Sequence, residues 1–464
     1  MTRVPLAAAA GLLPPGHVAV GHVQVGHVSA GDTAWLLAAT ALVMLMAPGL
    51  ALFYGGMVRS KSVLNMMMMT FGALAVVTVA WVLVGYSVAF GDDVGGGLLG
   101  NPVQYLGLAP LLAAGASWLS VPVLLFAAFQ GLFCVVTGAL VSGAVADRAR
   151  FGAWLLFVAA WSVLVYAPVA HWVFDTDHAG HLGGWLVNRV GLIDFAGGTA
   201  VEVCSGASAL ALALVLGRRV GFGKEPMRPH NLTLVMLGAG LLWFGWFGFN
   251  AGSALGAGRT AAVVVVTTLC AGAAGTLGWL GLERFRDGHA TSLGAASGMV
   301  AGLVAITPSC ASVTPVGALL LGFVAGVACA LAVGLKYRWR YDDSLDVVGV
   351  HLVGGLIGTL AIGLLAAPSA PAGVRGLLLG GGAGLLEHQL VGCLAVLAYA
   401  FVASGVLGYV VHRLVGFRVD EEHEVSGIDQ VVHAETAYDL YATVGQRHLG
   451  HLAPFATRER TEPA

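Results

Sequence analysis

The sequence predicts an all-α polytopic membrane protein with eleven transmembrane helices, arranged as two inverted five-helix repeats plus one extra helix. The chain of 464 residues is 58% hydrophobic and only 10% charged, and its mean hydropathy is +0.86. A soluble domain carries about 25% charged residues, so this composition is typical of an integral membrane protein. Eleven apolar runs, each near the roughly 20 residues that a membrane-spanning helix needs, supply the helix count.

The apolar runs are separated by short loops whose basic residues predict the orientation of the chain. The runs lie at about 33–54, 66–90, 120–143, 151–172, 196–216, 231–250, 260–282, 292–307, 315–337, 346–366 and 384–412. Alternate loops, together with the segment after the last run, hold fifteen Lys or Arg residues, and the opposite loops hold three, namely Arg189, Arg259 and Arg375. Because basic loops stay in the cytoplasm, we expect a multi-pass cell (plasma) membrane protein with its N-terminus outside and its C-terminus inside.

The two ends of the chain differ in composition from the apolar body at residues 33–416. Residues 1–32 are predicted to form an extracytoplasmic N-terminal tail with weak features of a signal peptide. This tail contains a pentapeptide repeat with His17, His22 and His27. A period of five does not align side chains on one helical face, so a flexible tail is favoured over a metal site. Residues 417–464 are polar and form a predicted cytoplasmic tail.

A carboxylate lies deep within the fifth apolar run. The stretch from Asp194 to Glu202 opens that run, and eight residues of helix place Glu202 roughly 12 Å deeper than Asp194. A charged group at such a depth is expensive, which makes Glu202 a functional-site candidate. We expect Asp194 to cap the turn that follows it.

The tenth run repeats this pattern, because it begins at Asp346 and carries His351 inside it. Inverted repeats bring corresponding segments together at the membrane midplane, where transported substrates bind. Glu202 and His351 are therefore predicted to face each other. Asp342 and Asp343, which precede the tenth run, are interpreted as solvated loop charges.

The composition also argues against several classes of protein. The net charge of −2 gives no indication of a nucleic-acid partner. The six cysteines mostly fall in apolar runs without Cys-x-x-Cys pairs, so they are interpreted as buried apolar residues rather than metal ligands or disulfides. No nucleophile or metal cluster accompanies Glu202 and His351 at a fitting spacing, so we predict neither an enzyme nor a metal or cofactor site.

Six longer stretches of the sequence form specific motifs: Pro48–Gly56, Phe129–Phe133, Asp194–Thr199, Pro229–Leu232, Gly245–Ser253 and Asp346–His351. In this order they closely resemble the ammonium transporter family (the Amt/Mep/Rh superfamily), and the resemblance covers nearly all of residues 33–445. The segment Gly-Phe-Asn-Ala-Gly-Ser and the tail are more similar to the Amt branch than to the Rh branch. The resemblance implies an ammonium transporter domain at residues 33–416, in an eleven-span homotrimer with one conduction path per subunit.

The resemblance also implies roles for individual residues. The positions that match the family's outer recruitment site are Phe133, Phe174, Ser253 and, through its charge, Asp194. The positions that match the conduction path are the gate residue Phe129, the wall residue Trp246, and the pore and proton-relay pair Glu202 and His351.

Two positions depart from the common family pattern. Phe174 stands where most members have tryptophan, and Glu202 stands where most have histidine. Phenylalanine lacks the indole N–H and is a weaker cation–π partner, so we expect weaker or less selective recruitment. The extracellular segment Asp175–Ile193 is also longer than is usual in the family.

The leading hypothesis for transport is electrogenic. Ammonium is deprotonated near Phe133, ammonia crosses an apolar pore, and the proton travels separately through Glu202 and His351. Direct passage of the ammonium ion, with Glu202 offsetting its charge, is an alternative, as is a neutral Rh-like ammonia gas channel. In a purely structural interpretation, the pair is a buried salt bridge that locks two spans together.

The polar tail resembles the family's cytoplasmic tail at Arg418–Glu424, Gly427–Asp429 and His433–Tyr438. In prokaryotic relatives this face docks P-II signalling proteins, so the resemblance implies such a partner. An ammonium sensor with the same fold is a further alternative, although the tail is too short for an enzymatic output domain.

Overall fold

The computed structural model describes residues 28–112, 119–178 and 180–438, so the repeat of His17, His22 and His27 lies outside the described residues. Ten helices in the described part are long and apolar enough to cross a membrane. Extended pairing in the same part is limited to isolated β-bridges. The prediction of an all-α polytopic membrane protein is therefore confirmed at this level.

The eleven predicted runs correspond to eleven helices of unequal length. In chain order these are α1 (Ala30–Met57), α2 (Val63–Phe90), α3 (Val123–Val145), α4 (Phe151–Phe174), α5 (Gly198–Leu216), α6 (Leu232–Gly252), α7 (Arg259–Arg286), α8 (Ser292–Ile306), α9 (Pro315–Trp339), α10 (Val348–Leu365) and α11 (Gly384–Val415). The 15 residues of α8 reach only about 22 Å, less than a hydrocarbon core of about 30 Å. The role of α8 as an eleventh span therefore stays a prediction.

Short polar residues begin several of these helices. Asn231, Thr291 and Thr314 each accept a hydrogen bond from the backbone N–H three residues further on, at 3.0, 2.9 and 3.1 Å. Such caps satisfy N–H groups that have no partner within the helix. Pro315 follows one of them at the first helical position, where its missing N–H costs nothing.

The helices α5 and α10 approach each other closely because glycine lines their contact. A Cβ atom on Gly206 would lie 2.5 Å from the backbone nitrogen of Leu352, and a Cβ atom on Gly355 would lie 2.9 Å from the carbonyl oxygen of Gly198. Small residues allow membrane helices to pack backbone against backbone. This contact brings the first turns of α5 and α10 side by side in the interior.

A buried cluster of charges joins the loops at the end of the molecule that carries the tail, here called the tail end. Arg219 bonds Asp342 through Nε and Nη2 at 2.9 and 2.8 Å, and Asp147 through Nη1 at 3.0 Å. Arg148 donates to the carbonyl oxygen of Asp342 at 2.6 Å. Asp342 and Asp343 are buried, so their interpretation as solvated loop charges is wrong. Arginines from distant loops supply the partners that make the burial of Asp342 tolerable, and backbone N–H groups of Val347 and Val348 do so for Asp343.

The described part of the tail packs onto the same end of the molecule. Both carboxylate oxygens of Asp429 accept backbone N–H groups at the start of α2, from Leu64 at 3.0 Å and Asn65 at 2.8 Å. Buried Glu424 accepts the N–H of Val220 at 2.7 Å. Asp429 thus caps α2 from more than 360 residues away along the chain, and the tail is held against the loops that follow α1 and α5.

Candidate functional site

The centre of the candidate site is a direct contact between Glu202 and His351. Oε2 of Glu202 lies 2.6 Å from Nδ1 of His351, and the two residues are 1% and 4% exposed. Each lies in a π-helical turn that opens its helix, Gly198–Val203 in α5 and Val348–Leu352 in α10. The structure thus brings together the two ionisable residues that the repeat pattern pairs.

A narrow cavity lies against this pair. Its lining consists of Met46, Leu50, Phe53, Val136, Leu140, Glu202, Leu242, Trp246, Phe249, Val300 and His351. The accessible volume of about 10 Å³ is close to the minimum that admits one water-sized molecule. Nε1 of Trp246 donates to the hydroxyl of Thr307 at 2.8 Å, so the indole presents an apolar surface to the cavity. Glu202 and His351 supply the ionisable groups in an otherwise apolar lining.

A stack of phenylalanines lies towards the other end of the molecule, here called the Phe174 end. The rings of Phe129 and Phe133 are 4.9 Å apart, and Phe174 meets Phe133 edge-to-face at 6.5 Å and 88°. Phe249 stacks on Phe133 at 3.9 Å and 13°. The hydroxyl of Ser253 donates to the carbonyl oxygen of Phe249 at 2.8 Å, which leaves its oxygen lone pairs available as acceptors.

Asp194 caps the turn that carries Glu202, as its position in the sequence indicates. Its Oδ1 accepts the N–H groups of Gly197 and Gly198 at 2.8 and 2.7 Å. Its Oδ2 accepts the N–H and hydroxyl of Thr199 at 2.7 and 2.5 Å, and the N–H of Ala200 at 3.3 Å. Gly197 has φ +113°, a left-handed conformation that glycine adopts without strain. The expected capping role is therefore present, and it fixes the register of the turn.

The acid that opens the tenth run is Asp343, and the assignment of this position to Asp346 is wrong. Asp343 accepts the N–H groups of Val347 and Val348 at 3.1 and 2.7 Å. Asp346 instead bonds Nζ of Lys336 at 2.6 Å. Burial raises the pKa of Asp343 to about 6, although the Lys336 charge acts in the opposite direction.

The two capped turns are equivalent in spacing. Eight residues separate Asp194 from Glu202, and eight separate Asp343 from His351. Each acid accepts N–H groups of the turn that carries Glu202 or His351, where a helix N-terminus favours negative charge. Each half of the chain therefore uses one carboxylate to orient one member of the Glu202–His351 pair.

Comparison with known proteins identifies the family of this chain. A model of the Ammonium Transporter Family matches residues 34–438. The chain belongs to the ammonium transporter family. The ammonium transporters of Mycobacterium tuberculosis and Mycobacterium bovis are 56% identical to this family member over 437 residues, which cover 89% of this chain and 91% of theirs. Ammonium transporter Amt1 of Archaeoglobus fulgidus is 42% identical over 413 residues, which cover 88% of this chain and 99% of Amt1.

Solved structures of the ammonium transporter family have the same fold. Mep2 of Saccharomyces cerevisiae superposes with a TM-score of 0.77 at 36% identity, covering 85% of this chain and 91% of Mep2. A structure described as a sensor Amt protein superposes with a TM-score of 0.80 at 27% identity, covering 86% of this chain and 98% of that chain. Membership places the chain among membrane transport proteins rather than enzymes.

Within this family member, the structure adds one aromatic residue that the sequence argument missed. Phe249 stacks on Phe133 and also lines the cavity beside Glu202 and His351. It therefore connects the phenylalanine stack to the cavity beside Glu202 and His351. The sequence could have indicated Phe249, because Trp246 and Ser253 of the same motif, Gly245–Ser253, were already predicted as site residues.

Proposed function

We propose that this chain transports ammonium across the cell membrane electrogenically. Ammonium binds at the Phe174 end and releases a proton, and ammonia then passes through the apolar cavity. The proton travels by way of Glu202 and His351, and ammonia is protonated again at the tail end. One ammonium ion and its charge are thereby moved in each cycle, although the two parts cross separately.

The observation that carries this proposal is the buried contact between Glu202 and His351 beside an apolar cavity. The apolar lining disfavours a whole cation, because desolvating a charge costs many kcal/mol unless other groups compensate for it. Ammonia is neutral and close to water in size, so it fits an accessible volume of about 10 Å³. The proton needs titratable groups at hydrogen-bond distance, and the contact of 2.6 Å supplies them.

The recruitment site in this proposal is formed by Phe133, Phe174 and Ser253, with Asp194 acting through its charge. Aromatic faces attract a cation, and a serine oxygen accepts one of its N–H groups. Phe129 packs against Phe133 at 4.9 Å, and Phe249 stacks on Phe133 and continues into the lining of the cavity. A cation would lose its contacts with water at that point, which favours release of a proton before entry into the cavity.

The test is solid-supported membrane electrophysiology on proteoliposomes that contain the full chain. We expect an ammonium-dependent transient current that potassium at the same concentration does not produce. Liposomes without protein control for passive ammonia flux. Ammonia uptake without any current would favour the neutral gas channel and would overturn the electrogenic proposal, and absence of both uptake and current would favour a sensor.

The substitution Phe174→Trp is expected to improve discrimination of ammonium against potassium by about two- to fivefold, since tryptophan is the stronger cation–π partner. The measurement is the ratio of half-saturating concentrations for the two ions. Phe244→Trp is the matched control, because Phe244 is 56% exposed on α6 and lies outside the stack. Equal selectivity in wild type and Phe174→Trp would show that position 174 is not part of the recruitment site.

The arrangement in the membrane follows the same proposal. We infer eleven spans in two inverted five-helix repeats plus one, with the N-terminus outside and the tail in the cytoplasm. The matching spacing of Asp194 to Glu202 and of Asp343 to His351 supports the repeat. The ordered tail at the tail end offers a surface for a P-II signalling protein, and the family resemblance supports a homotrimer.

A further inference from the structure

Two loops meet at the Phe174 end of the molecule, and their contact is a feature of its own. One loop, residues 91–105, follows α2, and the other, residues 175–193, joins α4 to α5. The N–H of Asp93 donates to the carbonyl oxygen of Leu182 at 3.0 Å, and the N–H of Trp185 donates to that of Gly97 at 3.0 Å. Backbone hydrogen bonds thus join the two loops at two places.

His181 connects the same loops through its side chain. Its Nδ1 lies 2.5 Å from Oδ1 of Asp92 in the first loop, and its Nε2 lies 2.8 and 3.0 Å from the two carboxylate oxygens of Asp175 in the second. A carboxylate only accepts hydrogen bonds, so both ring nitrogens must carry a proton. The geometry therefore requires an imidazolium ion between two carboxylates, and we call this group of three residues the histidine clasp.

The histidine clasp is fastened directly to the recruitment site. Asp175 follows Phe174, the last residue of α4, and is itself 2% exposed. Its carboxylate lies 3.2 Å from Nδ1 of His171, and its carbonyl oxygen accepts the N–H of Gly184 at 2.9 Å and Nδ2 of Asn188 at 2.9 Å. Because both the carboxylate and the carbonyl oxygen of Asp175 have partners, Asp175 fixes the end of α4. The backbone that carries the Phe174 ring is fixed with it.

We propose that His181 is a positioning residue for substrate recruitment: the cationic histidine clasp holds Phe174 against Phe133, and alkaline medium at the Phe174 end weakens ammonium binding by opening it. This inference rests on the proposed function, in which Phe174 contacts the ammonium ion. His181 acts through Asp175 and does not itself touch the substrate.

The direction of the pH effect follows from the groups around the ring. The titratable groups around the clasp are Asp92, Asp175, His171, His178, Tyr86 and Tyr105, with Asp93 beyond them against His171. Burial lowers the pKa of His181, but the bonds to Asp175 and Asp92 outweigh this effect and raise it from 6.5 to about 9. Burial and the charge of His181 keep the pKa of His178 low. Protonated His181 therefore stabilises the closed clasp fully below pH 6.5, and this stabilisation is lost as the pH rises through about 9.

The experiment measures half-saturating ammonium from currents of proteoliposomes at about pH 6 and about pH 10, on either side of the His181 pKa of about 9, with concentrations expressed as the ammonium ion. In wild type we expect this value to rise about two- to fivefold at the higher pH, the size of one lost cation–π contact. His181→Gln should show the weaker binding already at the lower pH. His181→Arg, a permanent cation, should bind as wild type does at low pH and lose the pH dependence.

The control variant is His388→Gln, which removes a histidine at the same end of the molecule. His388 precedes Gln389, whose side chain bonds the backbone of Ile193. This variant should keep the wild-type pH profile. A profile in His181→Gln or His181→Arg that matches wild type would overturn the proposal.

A second measurement separates this proposal from the proposed function. Protection of the N–H groups of Asp93 and Trp185 against hydrogen exchange, taken relative to the intrinsic exchange rate at each pH, should fall at alkaline pH in wild type and be low at all pH values in His181→Gln. If this protection changes while ammonium binding does not, the clasp exists but does not position Phe174, and the proposal fails. If neither wild type nor any variant transports ammonium, the proposed function is wrong, and with it the role of the clasp in recruitment. The exchange data then still show whether the clasp itself forms. In a Phe174→Ala background, His181→Gln should add no further loss of binding.

Discussion

Proteoliposomes that carry Glu202→Gln are expected to lose ammonium-dependent current by roughly 100-fold, the typical effect of removing one positioned proton-transfer group. Glutamine has nearly the same shape as glutamate and still accepts a hydrogen bond from His351, but it cannot release or take up a proton in the range of interest. The expected loss of current therefore results from interrupted proton transfer and not from a change in the width of the cavity.

Ammonia should still pass through the Glu202→Gln variant. A pH-sensitive dye inside the liposomes should then report alkalinisation without current, because ammonia enters alone and binds protons in the lumen. Wild type should show current with much less alkalinisation. Under direct passage of the ammonium ion, Glu202→Gln would remove current and uptake together, so this outcome would contradict separate passage.

Two further variants control for folding and for charge. Glu387→Gln removes an exposed carboxylate in the first turn of α11 and should leave the current unchanged. Glu202→His introduces the residue that the family resemblance predicts at this position and should retain current, since imidazole also carries a proton. If Glu202→Gln keeps the wild-type current but unfolds several degrees earlier, the pair is a salt bridge that locks α5 to α10 and has no part in the proton route.

The pairing of Glu202 with His351 was accessible from the sequence because both residues interrupt long apolar runs. A polar residue in such a run needs a partner inside the protein, and an approximate repeat indicates which one. The same reasoning failed for Asp343. The sequence Asp342-Asp343-Ser344-Leu345-Asp346 follows a basic cluster and has the composition of a solvated loop, and Asp346 stands next to the apolar run.

Burial of Asp342 depends on Arg219, which lies 123 residues away along the chain. The composition around Asp342 does not indicate this contact, because Arg219 reaches Asp342 only when the two distant loops pack together. The eight-residue spacing of Asp343 to His351, equal to that of Asp194 to Glu202, was the one local signal for the correct acid. His181 was missed for the same reason, since its partner Asp92 lies in another loop.

The substitution Arg219→Gln is expected to lower the free energy of unfolding by about 3–5 kcal/mol, the cost of removing one partner from a buried ion pair. Arg219 makes three side-chain bonds, two to Asp342 and one to Asp147, and both carboxylates are buried. Glutamine cannot supply the charge or the paired donors, so Asp342 keeps only the charge of Arg148 nearby. The measurement is the midpoint of thermal unfolding in detergent, which should fall by more than about 5 °C.

The neighbouring Arg218→Gln is the matched control, because Arg218 is exposed and bonds only the carbonyl oxygen of Arg340 among the contacts seen in the described residues. Its effect should stay within about 1 kcal/mol. Burial acts to raise the pKa of Asp342, but Arg219 and then Arg148 hold that pKa below its ordinary value of 3.8. The stabilisation by this pair is therefore present throughout neutral and mildly acidic solution and is lost only as the pH falls below that range. The two variants are compared at about pH 8, where Asp342 is ionised in wild type, and equal midpoints for both variants would contradict a structural role for the cluster.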